Sequence, residues 1–348
     1  MGSEASECRQ VLFCVGSRAE EMAALWQWAS QQFLEHERDV LTFVFARTDN
    51  ETTLGLTGGL QTHRAMHSDL SGMPAWLPPA LVEALATTAA ARSVEFVEIV
   101  SDLSPGDAIL QWLAEQPANL QPNVVLLGSR GMTGVRRFLL GSVAGFILEQ
   151  GSWPCLVVRS SLPKAGDGAT QAQAADRPEG RSVAVAVDGG EMGLALVSWA
   201  RSFLLRPSDR VTVLHGRPAH EHTDDELAAI DRAIEAVQTT TAAIRELNSE
   251  QRVRPGTATS ALLAEGEDVR DALCDWAETH RPDVLLVGSR GIHSALKRLA
   301  LGSVSSYCVQ HAPCPVLVVS AEVLKARAQD LAMERAADAA VGSTAAVK

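Results

Sequence analysis

One stretch of this chain occurs twice, and that duplication constrains the fold more than any other feature of the sequence. The first copy runs from Asn123 to Arg159. It holds an apolar run (Val124 to Leu127), a turn Gly128-Ser129-Arg130-Gly131, a short basic segment, Gly141-Ser142 opening a helix, and a second apolar run (Leu156 to Val158). The second copy runs from Asp283 to Val319, with Gly288-Ser289-Arg290-Gly291 and Gly302-Ser303 at the same places. The correspondence extends outward: Val183 to Val187 matches Val11 to Val15, Leu196 and Trp199-Ala200 match Leu25 and Trp28-Ala29, and Leu273 and Trp276 match Ile109 and Trp112. A shared order of elements, with tryptophan at equivalent helical positions, means two copies of one unit in tandem.

Within each copy, short and nearly continuous apolar runs alternate with helical stripes, the pattern of a parallel sheet covered on both faces. In the first copy Val11 to Val15 is followed by Met22, Leu25, Trp26, Ala29 and Phe33 at helical spacing, then by the strand Val40 to Phe45. Residues 48 to 73 lose this periodicity and read as a long loop, Pro74 to Arg92 as helix and Val94 to Val100 as a third strand. A helix from Ser104-Pro105 carrying Ile109, Trp112 and Leu113 leads to strand four, Val124 to Leu127. Ser142 reads as the N-cap of the next helix, Val143, Phe146 and Ile147 as its buried stripe, and Cys155 to Val158 as strand five. In the second copy Val211 to Leu214, Val284 to Val287 and Val316 to Val319 are strands two, four and five, and Asp224 to Leu247 is a long amphipathic helix. The expected architecture is α/β: two tandem, doubly wound, five-stranded parallel-sheet domains of Rossmann-like form. The expected boundaries are a first domain over 1–159, a linker of small and polar residues over 160–181, a second domain over 182–320, and a helical to disordered tail over 321–348.

The repeated turn carries the chemistry. Glycines let the backbone approach a ligand closely, and the helix behind them offers unpaired amides and the positive end of its dipole, a combination suited to phosphate oxygens. Ser142 can cap its helix or donate to a phosphate. Arg130 and Arg290 lie inside the turns, whereas Arg136-Arg137 and Lys297-Arg298 read equally well as solvated helix faces. There is no Gly-x4-Gly-Lys-Ser/Thr sequence, and the glycines follow the fourth strand rather than the first, which argues against a P-loop ATPase or a dinucleotide-dependent dehydrogenase. His215, closing strand two, reads as structural, and His220-Glu221-His222 as a solvent-facing loop rather than a metal site. No nucleophile, base and orienting group can be assembled from the motif residues, so no reaction is expected of the chain.

The spacing Gly-x2-Gly-x9-Gly-Ser, placed after strand four of a five-stranded unit, resembles the universal stress protein family, and the resemblance covers nearly the whole chain as a tandem pair. It implies a Rossmann-like, adenine nucleotide α hydrolase-like sheet, and in the nucleotide-binding branch ATP or AMP, with or without Mg2+, lying across the ends of strands one and four. There an Asp closing strand one contacts the nucleotide and the Gly and Ser positions hold its phosphates. Carried over, the second copy supplies Val187, Asp188, Val287, Gly288, Ser289, Arg290, Gly291, Gly302, Ser303 and Val304; the first supplies Gly128, Ser129, Arg130, Gly131, Gly141, Ser142 and Val143. Each copy departs from the pattern once. The second has ten residues instead of nine between Gly291 and Gly302; in the first, an ungapped match puts Ser17 where Asp188 stands, and a one-residue gap puts Gly16 there. Two functions follow as expectations: a stress-response regulator in which bound adenine nucleotide is read by a protein partner, or a scaffold of the same fold that binds no nucleotide. A slow ATPase or adenylating enzyme is the weaker third.

A net charge of −12 argues against a general nucleic-acid or anionic-membrane surface, since phosphates are repelled at long range. No apolar run approaches the roughly 18 residues that span a bilayer, and no signal core is visible, so a cytoplasmic protein is expected; Met1-Gly2-Ser3-Glu4-Ala5-Ser6 also fits the minimal N-myristoylation pattern at Gly2. Six cysteines without metal-ligand spacing read as reduced and mostly buried thiols. The two fifth strands present apolar edges that could pair within the chain, giving an internal pseudo-dimer, or between chains as a homodimer.

Overall fold

A computed structural model describes residues 8–16, 18–35, 37–48, 61–67, 73–86, 93–129, 140–159, 180–188, 190–206, 208–215, 258–262, 268–289 and 302–345. The chain divides into two compact units, Met1–Thr170 and Gln171–Lys348.

The first unit contains β1 (Arg9–Cys14), α1 (Ala19–Gln32), β2 (Asp39–Thr48), β3 (Gln61–His67), α2 (Pro79–Ala86), β4 (Ser93–Ser101), α3 (Pro105–Ala114), β5 (Val124–Ser129), α4 (Ser142–Gln150) and β6 (Cys155–Arg159). Its strand order is β3-β4-β2-β1-β5-β6. All neighbours are parallel except β3, which runs antiparallel along β4 from Gln61 opposite Val100 to His67 opposite Val94. The segment read as a loop over 48–73 therefore contains an edge strand. Its sequence, Gln-Thr-His-Arg-Ala-Met-His, has no apolar alternation for a sequence reading to find. The helix expected from Pro74 begins later, at Pro79, because prolines 78 and 79 suit the first turn of a helix and not its interior.

Right-handed crossovers put α1, which leads from β1 to β2, on the face opposite α3 and α4, which lead back across the sheet. Accordingly α1 packs against α2 and α3 against α4. The apolar positions Met22, Leu25, Trp26, Ala29 and Phe33 are all buried, as their spacing predicts. The Trp26 indole donates to the Ala84 carbonyl at 3.2 Å and so joins α1 to α2. Above the sheet Phe43 has Phe13, Phe96 and Trp26 around it, ring centroids 4.8, 5.3 and 5.7 Å away. Each such ring contributes roughly 1.5–3 kcal/mol by leaving water.

The second unit contains β7 (Ser182–Val187), α5 (Glu191–Phe203), β8 (Arg210–His215), β9 (Ala258–Leu262), α6 (Val269–His280), β10 (Val284–Gly288), α7 (Ser303–His311), β11 (Val316–Val319) and α8 (Ala321–Ala345). Its strand order is β11-β10-β7-β8-β9, all parallel. The helix read over Asp224 to Leu247 lies outside the described residues, as do His220-Glu221-His222. The tail forms α8, which packs on α5: Leu324 is buried and the Arg327 guanidinium donates to Ser198 Oγ at 2.8 Å. Asp268 caps α6 by accepting the Arg270 amide at 3.0 Å, and the Arg270 side chain beside it holds its carboxyl down at about 2.

One feature repeated in both units escaped the sequence reading. At the start of β1 the buried Arg9 guanidinium donates to Asp39 at 2.7 and 2.6 Å and to the Phe33 carbonyl at 3.0 Å. At the start of β7 Arg181 does the same to Asp209, at 3.2 and 2.6 Å, and to Leu204 at 2.7 Å. Each pair pins the first strand to the second and to the end of the helix between them. Arg181 follows Gly180, whose φ of 101° is open to glycine alone at low cost and brings it against the Ser208 carbonyl.

Candidate functional site

In both units the strand order reverses beside the first strand. From β1 the chain moves outward to β2 on one side and later to β5 on the other; from β7 it moves to β8 and later to β10. At such a switch point the loops leaving neighbouring strands part in opposite directions and open a crevice at the strands' carboxyl ends, the usual ligand position in open α/β sheets. Of the residues singled out in the sequence, those that the structure describes lie at the ends of these strands and at the starts of the helices behind them.

In the second unit, β7 pairs with β10 through Val183–Val284, Ala184–Leu285 and Val185–Leu286. Continued upward, this register sets Val187 level with Gly288 and Asp188 level with Ser289. Asp188 is exposed, and its carboxylate accepts the Gly190 amide at 3.1 Å, which fixes the side chain over the start of α5. Gly193 lies on α5 directly against it: a β-carbon there would sit 3.1 Å from Val187 Cβ and 3.2 Å from Asp188 Oδ1. The absence of a side chain at 193 thus leaves the carboxylate its place. On the neighbouring strand the Ser289 amide donates to Val319 at 2.8 Å and its carbonyl accepts the Gly302 amide at 2.5 Å. That bond closes the base of the turn and delivers α7 to the crevice. The buried Ser305 hydroxyl reinforces it, donating to the carbonyls of Gly302 (3.0 Å) and Ser289 (3.2 Å). The amides of Ser303, Val304 and Ser305 fall in the first turn, ahead of any intrahelical acceptor.

In the first unit the same register, Val11–Val124 through Phe13–Leu126, sets Val15 level with Gly128 and Gly16 level with Ser129. The structural counterpart of Asp188 is therefore Gly16, not Ser17, and Ser17 itself lies outside the described residues. The helices match with a different offset: the paired amides of Phe33 and Leu34 on the Ala29 carbonyl correspond to those of Leu204 and Leu205 on Ala200. On that offset Met22 corresponds to Gly193, and the first unit has one residue more between strand and helix. Met22 uses the space. Its sulfur accepts the Gly16 amide at 3.2 Å, and its methyl carbon lies 2.8 Å from where a β-carbon of Gly128 would stand.

The helices behind the turns start one residue earlier than the sequence suggests. The N-caps are Gly141 and Gly302, without side-chain capping bonds, and Ser142 and Ser303 are the first helical residues, so neither serine is a cap. The buried positions of α4 are Ala144, Ile147 and Leu148, whereas Val143 and Phe146 are half-buried; the Phe146 ring packs where a β-carbon of Gly106 would stand. Ser129 is buried and Gly128 and Gly288 are half-buried at the strand ends. Arg130, Gly131, Arg290 and Gly291, with Arg136-Arg137 and Lys297-Arg298, lie outside the described residues. His215 is buried, its Nδ1 3.2 Å from the Val187 carbonyl, so it braces the end of β7. Trp112 and Trp199 are buried and Trp28 and Trp276 half-buried. Among the described residues no three metal-ligating side chains are grouped, and no helix is long and apolar enough to cross a membrane.

Known proteins place this geometry. The universal stress protein family matches residues 8–159 and again 180–320. The universal stress protein PHOS32 of Arabidopsis thaliana is 29% identical over 163 residues, covering 40% of this chain and 64% of PHOS32. The universal stress protein YxiE of Bacillus subtilis is 31% identical over 143 residues, covering 39% of this chain and 95% of YxiE. A universal stress protein A-like protein of Arabidopsis thaliana is 39% identical over 64 residues, covering 18% of this chain and 35% of its own. The chain thus spans under two thirds of the length of these plant relatives. Among solved structures, a universal stress protein from Archaeoglobus fulgidus aligns with a TM-score of 0.49 at 14% identity, over 89% of this chain and 98% of its own. An Arabidopsis family protein crystallised with AMP aligns at 0.31 and 20%, over 40% and 91%. With both halves matched by the same family, this chain belongs to the universal stress protein family, as a tandem two-domain member.

Proposed function

We propose that the second unit binds an adenine nucleotide, ATP or AMP, across the ends of β7 and β10, and that a protein partner in stress signalling reads the bound state. The observation that carries this reading is the pairing at one switch point of an exposed carboxylate, Asp188, with the N-terminus of α7, which the Gly302 amide ties to the Ser289 carbonyl. The two ends suit the two ends of a nucleotide. A carboxylate accepts from ribose hydroxyls, while the first-turn amides of α7 and the Ser303 hydroxyl donate to phosphate oxygens. Mg2+, if bound with ATP, would ride on the phosphates, because the described residues group no protein ligand set for it. No bond-making step is assigned to the site.

The test is calorimetric titration of the full chain with ATP and with AMP, alongside Asp188→Ala. Losing a hydrogen bond to a charged group costs about 1.5–3 kcal/mol, so the variant should bind roughly ten- to a hundred-fold more weakly. Wild-type chain that binds neither nucleotide, or an Asp188→Ala variant with unchanged affinity, contradicts the reading. The alternative, a fold kept as an interaction scaffold without nucleotide, has two observations in its favour: Gly16 supplies no carboxylate in the first unit, and the second copy has ten residues instead of nine between Gly291 and Gly302.

A further inference from the structure

We propose that Met22 fills the nucleotide crevice of the first unit with the protein's own side chain, so that the chain takes one nucleotide and takes it in the second unit. This rests on the reading of the β7–β10 crevice as a nucleotide site, and it concerns which of two otherwise equivalent crevices is open.

Two equivalent places in the molecule differ in what occupies them. In the second unit the crevice wall facing the strand ends is Gly193, and the carboxylate of Asp188 stands against it at 3.2 Å from the nearest β-carbon position. In the first unit the wall is Met22 and the carboxylate is gone, its place taken by Gly16. The two changes are complementary. Carboxylate plus glycine in the second unit has become glycine plus methionine in the first.

The methionine fits as a filling group. It is 4% exposed, its sulfur takes the Gly16 amide at 3.2 Å, and its methyl covers Gly128, the first glycine of the repeated turn. A β-carbon at Gly16 would meet the same methyl at 3.7 Å, so thioether and strand end are already in van der Waals contact. Methionine is unbranched and fills irregular gaps well, which suits it to a crevice that a ligand would otherwise occupy. A nucleotide entering would have to expel this side chain into water, break the Gly16 contact, and find no carboxylate for its ribose. The main-chain parts of the site remain: β5 still ends in Gly128-Ser129, and α4 still starts behind Gly141. The first unit therefore keeps the frame of the site while its occupant is a residue of the chain.

Equilibrium dialysis with labelled ATP and AMP counts the sites. Wild-type chain should hold one nucleotide, and the double variant Gly16→Asp/Met22→Gly, which reproduces the Asp188/Gly193 pair, should hold one more than wild type. On an Asp188→Ala background the double variant should still hold one. Two sites in wild type, or no gain in a double variant whose circular dichroism and melting match wild type, overturn the proposal. The gain is read against each background, so it stays distinct from the function of the second unit: a wild-type chain that binds nothing, with a double variant that binds one, sinks the proposed site at β7–β10 and upholds the role of Met22. Should the double variant fail to fold, methyl NMR of wild type labelled at methionine decides. The Met22 resonance, assigned by Met22→Leu, should not move at saturating ATP, and a shift on binding overturns the proposal.

Discussion

Replacing Asp209 with alanine should unlatch the second unit from its first strand. The Asp209 side chain is fully buried and that of Arg181 is 3% exposed, and the two share bonds of 3.2 and 2.6 Å. The same carboxylate also accepts the Arg206 amide at 2.9 Å. Asp209→Ala removes all three bonds and leaves a buried guanidinium with no carboxylate opposite it. Removing one partner of a buried pair costs about 3–5 kcal/mol. At 1.4 kcal/mol per factor of ten, amide exchange protection across Ser182–Val187 and Arg210–His215 should fall roughly a hundred- to a few-thousand-fold. Hydrogen–deuterium exchange resolved by peptide is the assay, because it reads β7 and β8 separately from β1 and β2, which keep their own Arg9–Asp39 pair. Replacing both partners, Arg181→Met with Asp209→Leu, should recover most of the loss, since buried pairs exchanged whole for apolar groups are often near neutral. A loss below about 1 kcal/mol in Asp209→Ala, or a double variant as damaged as the single, would refute the assignment of the pair as a buried latch.

Gly193→Met transfers the Met22 arrangement into the second unit; its side chain must start 3.2 Å from Asp188 Oδ1, and ATP affinity should drop at least tenfold while Asp188 is retained, as titration would show. Burial pushes the Cys155 thiol up to about 12 and, with Cys155 beside it, the Cys14 thiol higher still, while the hydrogen bond with Cys274 and then burial raise Cys308. These thiols should resist alkylation at pH 8 in the native chain while exposed Cys8 reacts, counted by mass spectrometry, and equal rates at Cys8 and Cys14 would contradict their burial. Because their folded values lie above the ordinary 9.0, their contribution to stability is fully present below pH 9 and is lost as the pH rises beyond it.

What the sequence made legible follows from how each feature is encoded. The interior strands are legible because a strand buried on both faces must be apolar throughout: Val124 to Leu127 and Val284 to Val287 can be read without a partner. The helix starts at Gly141-Ser142 and Gly302-Ser303 are legible because backbone geometry demands particular residues there, although the cap is the glycine and not the serine. The edge strand β3 is held by backbone bonds to β4 and carries no apolar alternation, so nothing in Gln61 to His67 announces it. Nothing in the sequence singles out Arg9 or Arg181; only the fold brings Asp39 and Asp209 against them. Met22 is the instructive case. Its helical spacing marks it correctly as buried, but only the register of β1 on β5 reveals that it is buried over Gly16 and Gly128, at the crevice itself. Sequence alone left Ser17 and Gly16 as rival counterparts of Asp188, since the extra residue between strand and helix can be placed on either side; pairing of the strands removes the ambiguity.

The most direct test of the account is hydrogen–deuterium exchange of the full chain with and without saturating ATP. Protection should rise in peptides containing Asp188 and in those containing Gly302 to Ser306, at the two ends of the β7–β10 crevice, and should not change at Gly16 or at Gly141 to Ala144. No protection anywhere, or protection confined to the first unit, would contradict it.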